Sequence, residues 1–323
     1  MLLRPRKAVA QERAAEHIDW VDATEVNAAW RMDGFVILPR YLSEMELAPA
    51  LSELGIVFPT ASGFHDATDP RHKRYRNDEF DGIDVFPFAS TELSLLSVAP
   101  RLVELAETLL GERDLRIYSA EAWAKYTGAT SYEQDLHRDY LNHTVLVPTT
   151  AHRLQQLEMF VFLSDVPEEL GPPRLVSQRH TADLPANPNF YPRHGGHGEF
   201  VAADDHADLY DLEQSGAGPA GTVIAFNLAT FHRGTALTKP RGARYTMHLG
   251  YRPAQVEWAQ RQAWANSSHT PDWYRFVHQA TPRQLELFGF PPPKHPFWNP
   301  RTILGMKQRY PELDLTPWGA SEA

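Results

Sequence analysis

At Leu115 the chain changes period, and that change limits its fold more than any other feature. Leu115, Ile117, Ser119, Glu121, Trp123 and Lys125 alternate with Arg116, Tyr118, Ala120, Ala122 and Ala124, and Gly128 closes the run. This is the two-residue period of a strand. Further strands are predicted at 144–147, 157–163, 222–226 and 244–251. Before them the pattern is mainly helical. A helix is predicted from Thr24, stopped by Gly34, and the apolar run Phe35-Val36-Ile37-Leu38, closed by Pro39, suits a buried strand. Ser43 and Glu46 form a capping box for a helix through Leu54, and a helix over 91–110 is interrupted near Pro100 and ended by Gly111. Short strands punctuated by Pro and Gly, after a helical N-terminal third, predict a mainly β sandwich or barrel with helices packed outside. The stretch 255–280 reads as helical, and 290–298 is too rich in proline for either regular element. There is no internal repeat and no low-complexity tract.

At 323 residues with 42% hydrophobic content, the chain has ample material for a core. We expect an N-terminal arm over 1–22, a catalytic domain over 23–254, and a helical and proline-rich extension over 255–323 packed on the same domain. Residues 59–88 gather Gly, Asp, His and Arg into a long loop, the expected lid. The formal charge of −10, from 41 acidic and 31 basic residues, argues against nucleic acid or an anionic membrane as partner. With no cysteine, disulfides, thiolate zinc sites, cysteine nucleophiles and iron–sulfur clusters are excluded. Imidazole and carboxylate remain as metal ligands, and there are 15 histidines. The basic start, 1–7, leads into no secretory apolar run, and no stretch approaches the ~20 apolar residues of a membrane span. The expectation is a soluble, cytoplasmic protein acting on a small molecule. The C-terminal Phe297, Trp298 and Trp318 could serve either a homo-oligomer contact or a cover over the barrel.

His137 and Asp139 lie two apart, so an extended segment points both to one face. His232 follows the apolar run Val223-Ile224-Ala225-Phe226 and can return from a neighbouring strand. Two imidazoles and one carboxylate hold one face of octahedral Fe(II) and leave the opposite positions for O2 and an oxidisable co-substrate. An H-x-D triplet alone also fits a loop-capping histidine beside a surface aspartate. Arg244, 12 positions after His232, adds weight. A guanidinium is the natural anchor for a carboxylate held in a fixed direction, as the far carboxylate of 2-oxoglutarate must be. Arg241 competes for that role, although Pro240 and Gly242 make its site look like a turn.

In content and order these residues resemble the phytanoyl-CoA dioxygenase family of Fe(II)- and 2-oxoglutarate-dependent oxygenases. Trp30-Arg31-Met32-Asp33-Gly34-Phe35 is similar to the family's opening, and Leu136-His137-Arg138-Asp139-Tyr140 to its ligand pair. Phe162-Leu163-Ser164-Asp165-Val166 with Gly171 resembles the strand and loop that follow, and Gly221-Thr222-Val223-Ile224-Ala225-Phe226 before His232 resembles the strand to the distal ligand. The resemblance covers roughly residues 28–252. It implies a double-stranded β-helix, a cupin-like jelly roll. It also implies iron ligation by His137, Asp139 and His232, and an anchoring role for Arg244 toward 2-oxoglutarate. The hydroxyl residue usual two positions after the distal histidine is here Gly234. A single inserted residue would give that role to Thr235, and Phe160 falls where relatives place an aromatic beside the co-substrate. Halogenating relatives lack the carboxylate, so Asp139 favours hydroxylation, coupled to conversion of 2-oxoglutarate to succinate.

Two other readings share the fold: a cupin-like metalloenzyme that does not use 2-oxoglutarate, and a non-catalytic binding protein. Glu121, Trp123 and Lys125 either point inward to line the pocket or face solvent, and Tyr140 either closes the pocket or packs. His143, His152, His180, His194, His197, His248 and His269 read as surface or supporting residues. Arg71, Lys73, Arg74 and Arg76 either meet an anionic substrate or are solvated loop charge.

Overall fold

The computed structural model describes residues 22–139, 143–147, 149, 151–182 and 206–320; positions 1–21 of the expected N-terminal arm, Tyr140, His194 and His197 lie outside them. The helices are α1 (Ala23–Asp33), α2 (Glu44–Val57), α3 (Ala61–His65), α4 (Thr91–Leu96), α5 (Pro100–Leu110), α6 (Ala207–Tyr210), α7 (Pro271–Gln279), α8 (Pro282–Glu286) and α9 (Pro300–Arg309). The strands are β1 (Phe35–Leu38), β2 (Ile83–Val85), β3 (Leu115–Tyr126), β4 (Leu157–Phe162), β5 (Arg174–Val176), β6 (Gln214–Ser215), β7 (Val223–Asn227), β8 (Phe231–Arg233) and β9 (Ala243–Pro253). Local chemistry sets the helix ends. Asp22 caps α1, and Gly34 ends it in the left-handed region at φ 78°. Ser43 and Glu46 close the expected capping box on α2. Pro100 opens α5 at a position where its missing N–H costs nothing, which is why the 91–110 helix is split.

Six strands form one antiparallel sheet in the order β1-β7-β4-β9-β3-β2, and β6-β5-β8 form a second. Together they make a double-stranded β-helix. The large sheet has no solvent face, since its two sides bury different residues. Val36, Leu38, Met159, Val161, Val223, Ala225, Met247 and Leu249 pack outward with Leu102, Leu105 and Leu109 of α5. Phe35, Phe162, Ile224 and Phe226 turn inward, toward Leu175 of the small sheet. One irregularity redirects a side chain: between Ile117 and Ser119 the β3–β9 register shifts, so Tyr118 is the extra residue of a bulge.

Three expectations change. Residues 144–147 form no strand; Val145 is 78% exposed and only its N–H is held, by the Trp258 carbonyl. The helix expected over 255–280 is confined to α7, which starts where Thr270 caps it and Pro271 follows. Upstream, the Gln262 N–H donates to the Tyr118 carbonyl and its side chain bonds Ala120, tying this stretch to β3 instead of to its own backbone. Segment 59–88 is not one long loop. It holds α3, a 3-10 turn over Pro70–Tyr75 and β2, with Phe64 stacked on Tyr126 at 4.1 Å. Short strands β2, β5, β6 and β8 escaped prediction because two or three residues show no period. The proline-dense 290–298 is irregular as expected, and Trp273, Phe276, Leu285 and Tyr310 join the outer core.

Gly171 brings the end of the β4–β5 connection against the segment after β8. Its φ is +66°, and a Cβ there would lie 2.3 Å from the Thr235 carbonyl oxygen. Gly171→Ala should therefore lower the unfolding free energy by about 2–4 kcal/mol, measurable by denaturant titration; an unchanged midpoint would contradict the close approach.

Candidate active site

A backbone bridge joins His137 and His232. The His137 N–H donates to the His232 carbonyl at 2.9 Å and the His232 N–H to the His137 carbonyl at 3.0 Å. Side chains of such a pair stand side by side, and the ring centroids are 4.6 Å apart. Asp139, two residues on, reaches the same point, with its Oδ1 3.6 Å from His137 Nε2 and its Oδ2 3.2 Å from His232 Nε2. All three donor atoms lie within 4.8 Å of one another. Ligand atoms about 2.1 Å from a metal and at right angles to one another are roughly 3 Å apart, so the set can hold one divalent ion with little adjustment. The other ring nitrogens are engaged: His137 Nδ1 lies 2.8 Å from the Asp135 carbonyl and His232 Nδ1 3.2 Å from that of Thr230. Donation from Nδ1 fixes each ring with its Nε2 lone pair toward the shared point.

The electrostatics fit the same use. Burial and the neighbouring His232 push the His137 pKa down to about 4, keeping that imidazole neutral and able to ligate. For His232, burial opposes protonation, but the Asp139 charge and hydrogen bond outweigh it and the pKa is raised. For Asp139, the imidazoles of His232, His143 and His137 outweigh burial and hold the carboxyl well below its ordinary range.

The inner face carries the other expected residues. Arg244 on β9 pairs in register with Lys125 on β3, and both are buried. Among the described residues, Arg244 Nε and Nη1 have no hydrogen-bond partner. Burial pulls the Arg244 pKa to about 10, and burial together with Arg244 pulls Lys125 to about 7. A buried guanidinium with unsatisfied donors, beside a lysine that ionises near neutrality, can form a cradle for an anion. Arg241 is committed elsewhere, pairing with Asp66 at 2.5 Å on the surface in a left-handed turn. Phe160 lies 6.0 Å from His232 and 4.4 Å from His248, ring centre to ring centre. The Thr235 hydroxyl donates to the Pro172 carbonyl at 2.7 Å.

Glu121, Trp123 and Lys125 all face inward, and Trp123 stacks on His248 at 4.4 Å. Sequence reasoning missed Phe226, 4.6 Å from His232, and a buried network of Tyr118, His143, Glu158 and Arg261. The alternation of β4, which aligns Glu158 with Phe160, was the available signal; Arg261 had none. The basic cluster is partly spent on the fold. Arg71 pairs with Asp69 and donates to the Gly55 and Ile56 carbonyls, and Arg74 donates to that of Ile83.

The sheets and the histidine–aspartate set define a double-stranded β-helix protein with a facial metal-binding group. Residues 30–243, well over half of the chain, match the family model of phytanoyl-CoA dioxygenase (PhyH), and the chain belongs to that family. Among solved structures it is similar to the epimerase SnoN in complex with Fe3+, alpha ketoglutarate and nogalamycin RO, at 22% identity over 72% of this chain and 84% of that one, with a TM-score of 0.52. It is also similar to HygX from Streptomyces hygroscopicus with nickel, 2-oxoglutarate and hygromycin B bound, at 20% identity over 71% and 87% of the two chains, with a TM-score of 0.50. These likenesses concern the fold. No curated protein matches the sequence.

A proton and a metal compete for His232 Nε2. Because its pKa is raised above the ordinary 6.5, Ni(II) affinity should already be falling as pH drops toward 6.5, with binding markedly weaker at about pH 6 than at about pH 8. Titration calorimetry in two buffers of different ionisation enthalpy should also register proton release. A pH-independent affinity would contradict ligation by His232.

Proposed function

We propose that the protein is an Fe(II)- and 2-oxoglutarate-dependent dioxygenase that hydroxylates a small organic substrate and converts 2-oxoglutarate to succinate. The observation that carries this reading is the coexistence, inside one barrel, of the His137–Asp139–His232 set and the unpaired Arg244 guanidinium beside Lys125. A metal site used alone would have no need of two buried cations. In this reading His137, Asp139 and His232 hold iron. Arg244 and Lys125 receive the far carboxylate of 2-oxoglutarate, whose charge relieves their mutual repulsion. Bound iron with 2-oxoglutarate supplies the activation of O2. Phe160 and Phe226 exclude water from the inner wall, and His248 with Trp123 continues that wall along the same sheet. Thr235, its hydroxyl engaged by Pro172, supports the loop after His232 and offers an oxygen acceptor. Part of segment 59–88 serves as the lid: Phe80, 52% exposed, meets Trp123 edge-on, and Glu79 accepts from Gln134 in the run leading to His137.

Three variants test the assignment by succinate release from 2-oxoglutarate. Asp139→Ala should abolish it, since iron loses its only carboxylate. Arg244→Ala should raise the concentration of 2-oxoglutarate needed by about 10–100-fold, the worth of a charge-assisted bond in a buried site, and Lys125→Met should raise it less. If metal-dependent activity persists and is insensitive to Arg244→Ala, the cupin-like alternative without 2-oxoglutarate is favoured. A product of unchanged mass would replace hydroxylation by another reaction on the same centre.

A further inference from the structure

The inner face is polar at both ends, with opposite signs. Along β3 the inward residues run Lys125, Trp123, Glu121, and along β9 Arg244, Thr246, His248, Gly250, in register with them. On β4, Phe162, Phe160 and Glu158 keep step. The metal ligands stand against Phe160 and Phe226, which lie in register with His248 and Glu158 respectively. The cation pair lies toward one end of the inner face, and Glu121 and Glu158, both buried, lie at the other end in the rows of Phe160 and Phe226, beside the metal ligands.

The acidic end is built with care. The bulge in β3 turns Tyr118 inward, and Gly250 leaves room for it. A Cβ on Gly250 would lie 2.8 Å from the Tyr118 ring and 2.9 Å from Glu158 Oε1. The Tyr118 hydroxyl donates to Glu158. Arg261 Nη1 lies 2.7 Å from His143 Nε2 and its Nη2 3.1 Å from Glu121 Oε1, while Trp123 Nε1 donates to Glu121 Oε2 at 3.0 Å. A guanidinium only donates, so His143 Nε2 must accept. His143 is then the neutral tautomer whose Nδ1–H donates to Glu158 Oε1 at 2.9 Å. Two carboxylates therefore face one guanidinium, and the network carries one net negative charge. Burying it is costly where an apolar wall would serve.

We propose that Glu121 and Glu158 are specificity-determining residues, and that the substrate bears a basic amine which this end of the barrel receives. Polyanionic substrates such as coenzyme A thioesters are rejected. The proposal rests on the oxygenase reading for the position of the reacting centre. Arg261, from beyond the stretch matched by the family model, is the positioning residue that holds Glu121 and His143 in place.

The test is titration calorimetry on full-length protein loaded with Ni(II) and 2-oxoglutarate, using three amines of increasing size (putrescine, lysinamide and kanamycin) and coenzyme A as the polyanion. At least one amine should bind and coenzyme A should not. Glu158→Gln and Glu121→Gln, which keep the side-chain shape, should each weaken the amine about tenfold or more, while thermal melting confirms that both fold. Binding of coenzyme A, no heat from any of the three amines, or amine binding untouched in both variants would overturn the proposal. The heat of 2-oxoglutarate binding in the same samples is a separate readout: its absence would sink the oxygenase reading, whatever the amines do.

Discussion

Everything at the centre of this molecule depends on one pair of backbone hydrogen bonds, those between His137 and His232. The two histidines are distant in sequence, and their elements belong to different parts of the barrel. Reciprocal N–H to carbonyl bonds at 2.9 and 3.0 Å place their imidazoles together before any ligand is present. Asp139 follows because an extended segment returns to the same face every second residue. Preorganisation of this kind lowers what a metal must reorganise on binding, since only small side-chain shifts remain.

Around that centre the barrel stores charge in places where burial makes it expensive. Lys125 and Arg244 face each other with no ion-paired acid among the described residues, and the cost appears as depressed pKa values. Charge left unbalanced inside a fold marks where a ligand completes the structure. The same principle distinguishes Arg244 from Arg241, which is balanced by Asp66 at the surface and has no remaining demand. The rest of the inner wall is aromatic, with Phe160, Phe226, Trp123 and His248 in ring contact, an arrangement suited to shutting water out around a reactive centre.

Much of this was legible in the sequence, for physical reasons that differ by element. Period two over 115–125 marked the strand, but not which face turns inward: the bulge at Tyr118 leaves Leu115 and Ile117 on the outer face and Glu121, Trp123 and Lys125 on the inner one. The capping box at Ser43 and the Pro100 break were readable because caps and prolines act locally. The 144–147 run misled, since three apolar β-formers in a row carry the same local signal whether or not a partner strand exists. The helix expected over 255–280 forms only from Pro271 on, for the related reason that Gln262 and Trp264 find partners on β3, a tertiary choice absent from local propensity. The metal set could be proposed from spacing and resemblance, whereas the Tyr118–Glu158–His143–Arg261 network required a bulge, a glycine and a returning C-terminal segment to meet, and no linear pattern encodes that meeting.

The central claim, that three side chains gather one ferrous ion with 2-oxoglutarate anchored beside it, is most directly tested by anaerobic absorption spectroscopy. Adding Fe(II) and then 2-oxoglutarate to the purified protein should produce a metal-to-ligand charge-transfer band in the visible, and His232→Ala should lose it. A wild-type protein that binds Fe(II) yet gives no such band at saturating 2-oxoglutarate would contradict the account.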